Sequence, residues 1–197
     1  MQTIPGVFTL HNDKPGWPLV FDSPHSGTNY PADFDYACAP NKLARAEDKF
    51  VDDLFSHVTA HDTAFLAAQF PRTYIDVNRR ENDIDQEILD RPWPAMLAQD
   101  GRSHAGIGLI RRLVKPGIPL YQRQLGPDEI MHRIQNYYRP YHNTLEDLLD
   151  DCHYRFGQVW HINCHAMPAH TAYPRNVKTK SGIRGYDFVI GDLDGRS

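Results

Sequence analysis

Two short apolar runs in this chain each lead directly into a polar segment that contains a histidine. Residues 19–21 (LVF) continue into DSPHSG, which includes His25, and residues 159–162 (VWHI) continue into NCH, which ends at His165. Runs of this kind are typical of buried strands, and proline and glycine then force the chain into a loop. In an open α/β sheet, ligands bind beyond the carboxyl ends of the strands. The pattern therefore predicts that the two imidazoles meet at one sheet edge and share a metal ion.

Strand-like runs alternate with helical patterns along the rest of the chain. We expect further strands at residues 64–70, 73–77, 107–110 and 186–190. This alternation predicts an α/β fold with a mixed central sheet flanked by helices. The 197 residues are enough for one domain with a substantial core, so we expect a single domain over residues 1–197.

Two segments have helical periodicity. The first begins at Asn41, a good N-cap residue, and extends to about His61. The second covers residues 127–156, where Pro140 is expected to kink or divide the helix. Between them, residues 81–106 are polar and irregular, and a long excursion of this kind is often a functional lid.

The charge and composition exclude several classes of partner. A formal net charge of −4 gives no reason to expect binding to nucleic acid or to an anionic membrane. No apolar run approaches the roughly 18 residues of a spanning helix, and the first residues do not have the pattern of a signal peptide. Three irregularly spaced cysteines fit free thiols in the cytoplasm. We therefore expect a cytoplasmic protein that acts on a small molecule, with the oligomeric state left open.

A catalytic metal site needs a third protein ligand, and an acidic residue is expected. The first predicted helix offers Glu47, Asp48 and Asp52, although such charges also commonly form a solvated helix face. His161 shares a strand with His165, but four residues of strand separate them by about 13 Å. We therefore interpret His161 as structural.

The sequence Asp76-Val77-Asn78-Arg79 follows a predicted strand and suits a substrate carboxylate. Guanidinium binds carboxylate through two hydrogen bonds, and an amide adds a third. Asp76 could hold Arg79 in place, or the two could form a structural ion pair at a sheet edge. Cys164 and His165 are adjacent in a strand and point to opposite faces, which argues against a cysteine nucleophile paired with that histidine.

Five motifs, in order along residues 18–192, resemble the N-formylglutamate amidohydrolase (deformylase) family. They are SPHSG around His25, ED at residues 47–48, YIDVNR ending at Arg79, YRPYH at residues 138–142, and NCH ending at His165. The resemblance implies a phosphorylase/hydrolase-like α/β fold related to zinc carboxypeptidases and aspartoacylase. It also implies a metal-dependent amidase that splits N-formyl-L-glutamate into formate and glutamate during histidine degradation.

Several residue roles come from this resemblance. His25 and His165 match metal ligands, and Asn78 and Arg79 match a pair that binds a substrate carboxylate. Thr28 stands where carboxypeptidases have a glutamate ligand, so we expect Asp48 to be the third ligand. We expect the metal to be a divalent ion, zinc being the first choice.

The resemblance also implies features around the metal site. Arg79, Arg111 or Arg184 is expected to attract the dianionic substrate. The family's C-terminal segment, with a glutamate that acts as general base, is expected beyond Ser197.

Two alternatives remain open at this point. One is an amidase or peptidase for another N-acyl amino acid on the same scaffold, with residues 81–106 setting the choice of substrate. The other is a binding domain that keeps the fold without catalysis, as suggested by Thr28 and by the expected position of the general base.

Overall fold

The structure is a computed structural model that describes residues 2–168 and 186–192. The chain divides into two compact units, Met1–His165 and Ala166–Ser197. All the helices and strands given below belong to the first unit. The described part of the second unit contains no helix or strand, so the strand predicted at residues 186–190 is wrong. An apolar run becomes a strand only when a neighbour accepts its backbone hydrogen bonds, and no strand pairing involves these residues within the described ranges.

The central sheet of the first unit has five strands in the order β1-β2-β4-β3-β7. Their bounds are β1 Gln2–Ile4, β2 Phe8–His11, β3 Leu19–Ser23, β4 Ala64–Ala68 and β7 Trp160–Asn163. A separate antiparallel pair consists of β5 Leu113–Lys115 and β6 Ile118–Pro119. The first two strands run antiparallel to their neighbours, whereas β4, β3 and β7 are mutually parallel. The mixed α/β sheet predicted from the sequence is therefore confirmed.

Strand β4 lies at the centre of the sheet. All five of its residues (AFLAA) are buried, as expected for a strand with neighbours on both sides and packing on both faces. Next to it, β3 pairs in parallel with β7, in a register that places Leu19 opposite Trp160 and Asp22 opposite Asn163. The carboxyl ends of β3 and β7 consequently meet at one sheet edge.

The helix predicted over residues 41–61 is wrong, because the chain breaks it into short pieces. These are α1 Pro40–Leu43, a 3₁₀ turn Ala44–Ala46, α2 Val51–Phe55 and a 3₁₀ helix Ser56–His61. Ala39, not Asn41, occupies the N-cap position of α1, and Phe50 adopts a left-handed conformation with φ of 65°. Phe50 is 71% exposed, which shows that the apolar periodicity here does not mark a core-facing stripe.

The helix predicted over residues 127–156 is confirmed, with an interruption at residues 134–138, just before Pro140. It consists of α4 Pro127–Arg133, a π-helical turn Ile134–Tyr138 and α5 Arg139–Phe156. Proline cannot donate to the preceding turn, and the backbone N–H of Arg139 instead bonds to the carbonyl of Ile134, five residues earlier. Gly157 ends the helix with φ of 74°.

Two other predicted strands are wrong. Residues 73–77 form turns, with a hydrogen bond from Tyr74 N–H to Pro71 C=O, and residues 107–110 contribute only an isolated bridge. Residues 81–106 contain a 3₁₀ turn Gln86–Ile88 and α3 Gly101–His104. Within the described ranges, no helix is long and apolar enough to cross a membrane.

Candidate metal centre

The loop after β3 fixes the position of His25. Gly27 is required there, because a Cβ atom at this position would lie 2.3 Å from the backbone carbonyl carbon of Gln69. The hydroxyl groups of Ser23 and Ser26 lie 2.8 Å apart and close the loop on itself. The His25 side chain is consequently buried in the sheet edge.

His165 and Asp48 approach His25 from two other segments. His165 follows β7, whose ladder with β3 is extended by a hydrogen bond from Cys164 N–H to Asp22 C=O. Asp48 lies in the break before α2, where its own N–H donates to the carbonyl of His25. This break, rather than a helix face, turns the Asp48 side chain toward the two histidines.

His25, Asp48 and His165 bring three ligand atoms together. His25 Nδ1 lies 3.1 Å from His165 Nδ1 and 3.5 Å from Asp48 Oδ2. His165 Nδ1 lies 3.0 Å from the same oxygen. All three atoms are within 4.8 Å of one another. Two imidazole nitrogens and one carboxylate oxygen are a donor set that suits a divalent metal such as zinc, with room for a further ligand.

Asp76 supports this cluster from behind, a role that the sequence analysis did not assign to it. Its Oδ1 accepts a hydrogen bond of 2.7 Å from His25 Nε2–H, and its Oδ2 accepts bonds of 3.2 Å and 2.9 Å from Arg72. With Nε2–H directed at Asp76, His25 could bind a metal through Nδ1 after losing any proton on that atom. Burial would raise the pKa of Asp76, but the charge and hydrogen bond of His25 and the charges of Arg72 and Arg111 lower it.

Asp48 is likewise held as a carboxylate. Its partial burial would raise its pKa, whereas hydrogen bonds from His165 and His25, together with the charges of His25 and Arg72, lower it. The net result is a pKa well below the usual range, so Asp48 carries a negative charge at neutral pH.

Asn78 and Arg79 lie beside the cluster. The Asn78 side-chain amide is 3.1 Å from His165 Nε2, on the side of the ring away from the ligand atom. The Arg79 guanidinium donates to the carbonyls of Ile107 and Asn78, at 3.2 Å and 2.7 Å. The expectation that the Asp76 carboxylate holds Arg79 is wrong, because that carboxylate binds His25 and Arg72 instead.

Arg111 is buried behind the same carboxylate. Its Nη2 lies 3.6 Å from Asp76 Oδ2, its Nη1 donates to Val114 C=O, and its Nε has no hydrogen-bond partner among the described residues. Burial lowers the pKa of Arg111 to about 10, with a further contribution from the charge of Arg72. A direct contact between Arg111 and substrate stays a prediction. Arg184 and the general base expected beyond Ser197 lie outside the described residues.

Two neighbouring groups are separate from the cluster. His161 Nε2 bonds to Asp22 Oδ1 at 2.9 Å, consistent with the structural role that we expected. Burial raises the pKa of Cys164 to about 12, and the charge of Asp22 adds to this effect. A thiol with this pKa is protonated at neutral pH, which disfavours it as a nucleophile.

Comparison with known proteins identifies relatives by sequence. The family model described as N-formylglutamate amidohydrolase matches residues 17–197. The N-formylglutamate deformylase of Pseudomonas putida is 25% identical over 194 residues, which cover 97% of this chain and 64% of that protein. The N-formylglutamate deformylase of Pseudomonas aeruginosa is 24% identical over 159 residues, which cover 79% of this chain and 54% of that protein. The chain thus spans less than two thirds of the length of these curated relatives.

Solved structures give a concordant result. The crystal structure of N-formylglutamate amidohydrolase from Ralstonia eutropha JMP134 superimposes with a TM-score of 0.86 at 44% identity, covering 96% of this chain and 68% of that one. A gene product of Agrobacterium tumefaciens is 12% identical with a TM-score of 0.53, covering 82% and 56% of the two chains. The second likeness concerns the fold alone.

Proposed function

Because the chain belongs to the N-formylglutamate amidohydrolase family, we propose that it hydrolyses the formamide bond of N-formyl-L-glutamate to give formate and glutamate. The observation that carries this proposal is the cluster of His25, Asp48 and His165, supported by Asp76 and adjacent to Asn78 and Arg79. A three-ligand site of this composition is typical of metal-dependent hydrolases.

We propose that these three residues hold a divalent metal, with zinc as the first choice. When bound, such a metal supplies a Lewis acid and lowers the pKa of a water molecule toward about 7. Asp76 keeps the proton of His25 on Nε2 and so presents Nδ1 as the ligand atom. If the Asn78 amide is flipped so that its oxygen faces His165, that oxygen accepts a hydrogen bond from Nε2–H. His165 would then also present Nδ1 as its ligand atom.

Substrate orientation is proposed to depend on Asn78 and Arg79. The Arg79 guanidinium contacts two backbone carbonyls, which fix its plane while leaving N–H groups for a substrate carboxylate. The partial burial that lowers the pKa of Arg79 also strengthens its interaction with an anion. The proton acceptor implied by the family resemblance, a glutamate beyond Ser197, remains part of the proposal.

We also propose a biological context for the protein. The family implies a step in histidine degradation, and a relation to zinc carboxypeptidases is a prediction of the same kind. All three cysteines lack disulfide bonds, which fits a cytoplasmic location. The partner is proposed to be a small molecule.

Elemental analysis of the purified protein, combined with measurement of formate release, tests the proposal. We expect one metal ion per chain and formate release from N-formyl-L-glutamate that stops after chelation and returns with added zinc. N-formyl-L-aspartate and N-acetyl-L-glutamate serve as comparison substrates. Turnover of either of these without turnover of N-formyl-L-glutamate would assign the site to another N-acyl amino acid. Metal-free protein without turnover would contradict the proposal.

A further inference from the structure

A second arginine lies close to Arg79 but comes from the long excursion between residues 81 and 106. The two are connected through Ile107. Arg79 Nε donates to Ile107 C=O at 3.2 Å, and Ile107 N–H donates to Arg102 C=O at 2.9 Å. The residue that anchors the Arg79 guanidinium therefore also anchors the backbone of Arg102.

The backbone at Arg102 is held in place by short-range hydrogen bonds. Asp100 accepts hydrogen bonds from Arg102 N–H and Ser103 N–H, and Ser103 is fully buried. Asp100 N–H in turn reaches the side chain of Asp83, which is also buried. These contacts attach α3 to the core, so Arg102 projects from a fixed base rather than from a free loop.

Neither arginine is neutralised by a carboxylate at ion-pair distance within residues 2–168 and 186–192. Arg79 bonds only to carbonyl oxygens there, and Arg102 is exposed. Burial is the largest influence that lowers the pKa of Arg79, and the nearby charges of Arg102 and Arg72 lower it further, against the opposing charges of Asp76 and Asp100. Two cations held close together, neither of them in an ion pair within the described ranges, attract a ligand that carries two negative charges.

We propose that Arg102 is a specificity-determining residue that binds the second carboxylate of a dicarboxylic N-acyl amino acid, while Arg79 binds the first. This inference rests on the proposed function and adds a reason why the substrate has an acidic side chain. According to this proposal, residues 81–106 determine the preference for glutamate-like substrates over neutral ones. Arg102 takes no part in the reaction itself.

Binding of two small acids tests the role of Arg102 without relying on turnover. Glutarate carries two carboxylates, and its monoamide, glutaramate, carries one. Isothermal titration calorimetry on the metal-loaded full chain should show that wild type prefers glutarate. In Arg102→Gln this preference should fall by about 10- to 100-fold, the range for loss of a charge-assisted hydrogen bond. Arg102→Lys should retain part of it.

Arg45→Gln is the matched control. Arg45 is also exposed and has no ion-pair partner among the described residues, so the variant makes the same charge change on a different segment, the 3₁₀ turn Ala44–Ala46. We expect Arg45→Gln to retain the wild-type preference for glutarate. An unchanged preference in Arg102→Gln, or an equal loss in Arg45→Gln, would overturn the proposal.

Kinetics separate this inference from the proposed function. With N-formyl-L-glutamate and N-formyl-L-glutamine as substrates, Arg102→Gln should lower kcat/KM for the first by about 10- to 100-fold and leave the second nearly unchanged. If wild type hydrolyses neither substrate but Arg102→Gln still loses its preference for glutarate, the proposed reaction fails and the assignment of Arg102 stands. If wild type hydrolyses N-formyl-L-glutamate and Arg102→Gln affects both substrates equally, the reaction stands and this assignment fails.

Discussion

The Nδ1 atoms of His25 and His165 lie 3.1 Å apart, and both are within 3.5 Å of the same carboxylate oxygen of Asp48. Because Asp76 accepts the hydrogen bond from His25 Nε2–H, Nδ1 is the ring nitrogen of His25 that faces the cluster. A cation between these atoms would satisfy all of them at once.

The first prediction is that His25→Ala and His165→Ala each abolish stoichiometric metal binding while the sheet stays folded. Both residues lie beyond strand ends, so their removal leaves the backbone ladder between β3 and β7 intact. Metal content by elemental analysis and secondary structure by circular dichroism are the two measurements. His153→Ala, which changes an exposed histidine on α5, is the control. A folded variant of His25 or His165 that still carries one metal per chain would show that the site lies elsewhere.

The second prediction concerns Asp76, which touches His25 and no other member of the cluster. Asp76→Asn should lower metal affinity by about 10- to 100-fold, because the ring of His25 loses the charged acceptor that orients it. Competition with a chelator of known affinity measures the change.

Asp85→Asn controls for the loss of a buried ion pair. Asp85 is also buried and accepts a 2.8 Å hydrogen bond from Arg112, so both variants are expected to lose thermal stability. Only Asp76→Asn should weaken metal binding. Equal metal affinity in the two variants would show that Asp76 is only a structural ion-pair partner.

The positions of His25 and His165 could be predicted because each follows a short apolar run that ends in a loop. The mixed sheet was predicted correctly for the same reason. The pairing of β3 with β7 could not be predicted, because it joins segments about 140 residues apart and no local pattern specifies that register. The expectation that the two histidines act together came from their matching positions at the carboxyl ends of two predicted strands, and the family resemblance agreed with it.

The sequence predicts Asp48 on a continuous helix, which the structure contradicts. Phe50 is exposed and left-handed, and it interrupts the helical pattern before α2 begins. Local periodicity does not reveal such a break, because the break depends on the hydrogen bond between Asp48 and His25. Arg72 and Asp76 were missed as a pair, although their spacing of four residues was a usable signal. We had interpreted residues 73–77 as a strand, where alternate side chains face opposite sides.

The third prediction is that Arg79→Ala raises KM for N-formyl-L-glutamate by about 100-fold, with a smaller change in kcat. The physical reason is the loss of a charge-assisted contact worth about 3 kcal/mol with a substrate carboxylate. Steady-state measurement of formate release gives both constants. Arg79→Lys should recover part of the loss, since a point charge replaces the two-pronged guanidinium. If KM did not change, the bonds from Arg79 to Ile107 and Asn78 would be its whole role.

The fourth prediction concerns stability at alkaline pH and rests on Tyr138 in the π-helical turn. Its hydroxyl donates to Arg79 C=O at 2.8 Å, and burial, followed by the charge of Glu81, raises its pKa to about 12. The ordinary value in an unfolded chain is about 10. A raised pKa in the folded state means that the neutral phenol contributes stability below pH 10, and that this contribution is lost as the pH rises toward 12.

Tyr138→Phe removes that titration together with the hydrogen bond. At pH 8 the variant should be less stable than wild type by about 1 kcal/mol, the usual net value of one hydrogen bond. Between pH 8 and pH 11, wild type should lose about 1 kcal/mol more than the variant, so the difference between them should nearly vanish. Urea unfolding of the metal-free proteins at several pH values measures it. Tyr154→Phe changes a tyrosine that is 89% exposed on α5 and should follow wild type throughout. A constant difference between wild type and Tyr138→Phe from pH 8 to pH 11 would mean that Tyr138 ionises at its ordinary pKa.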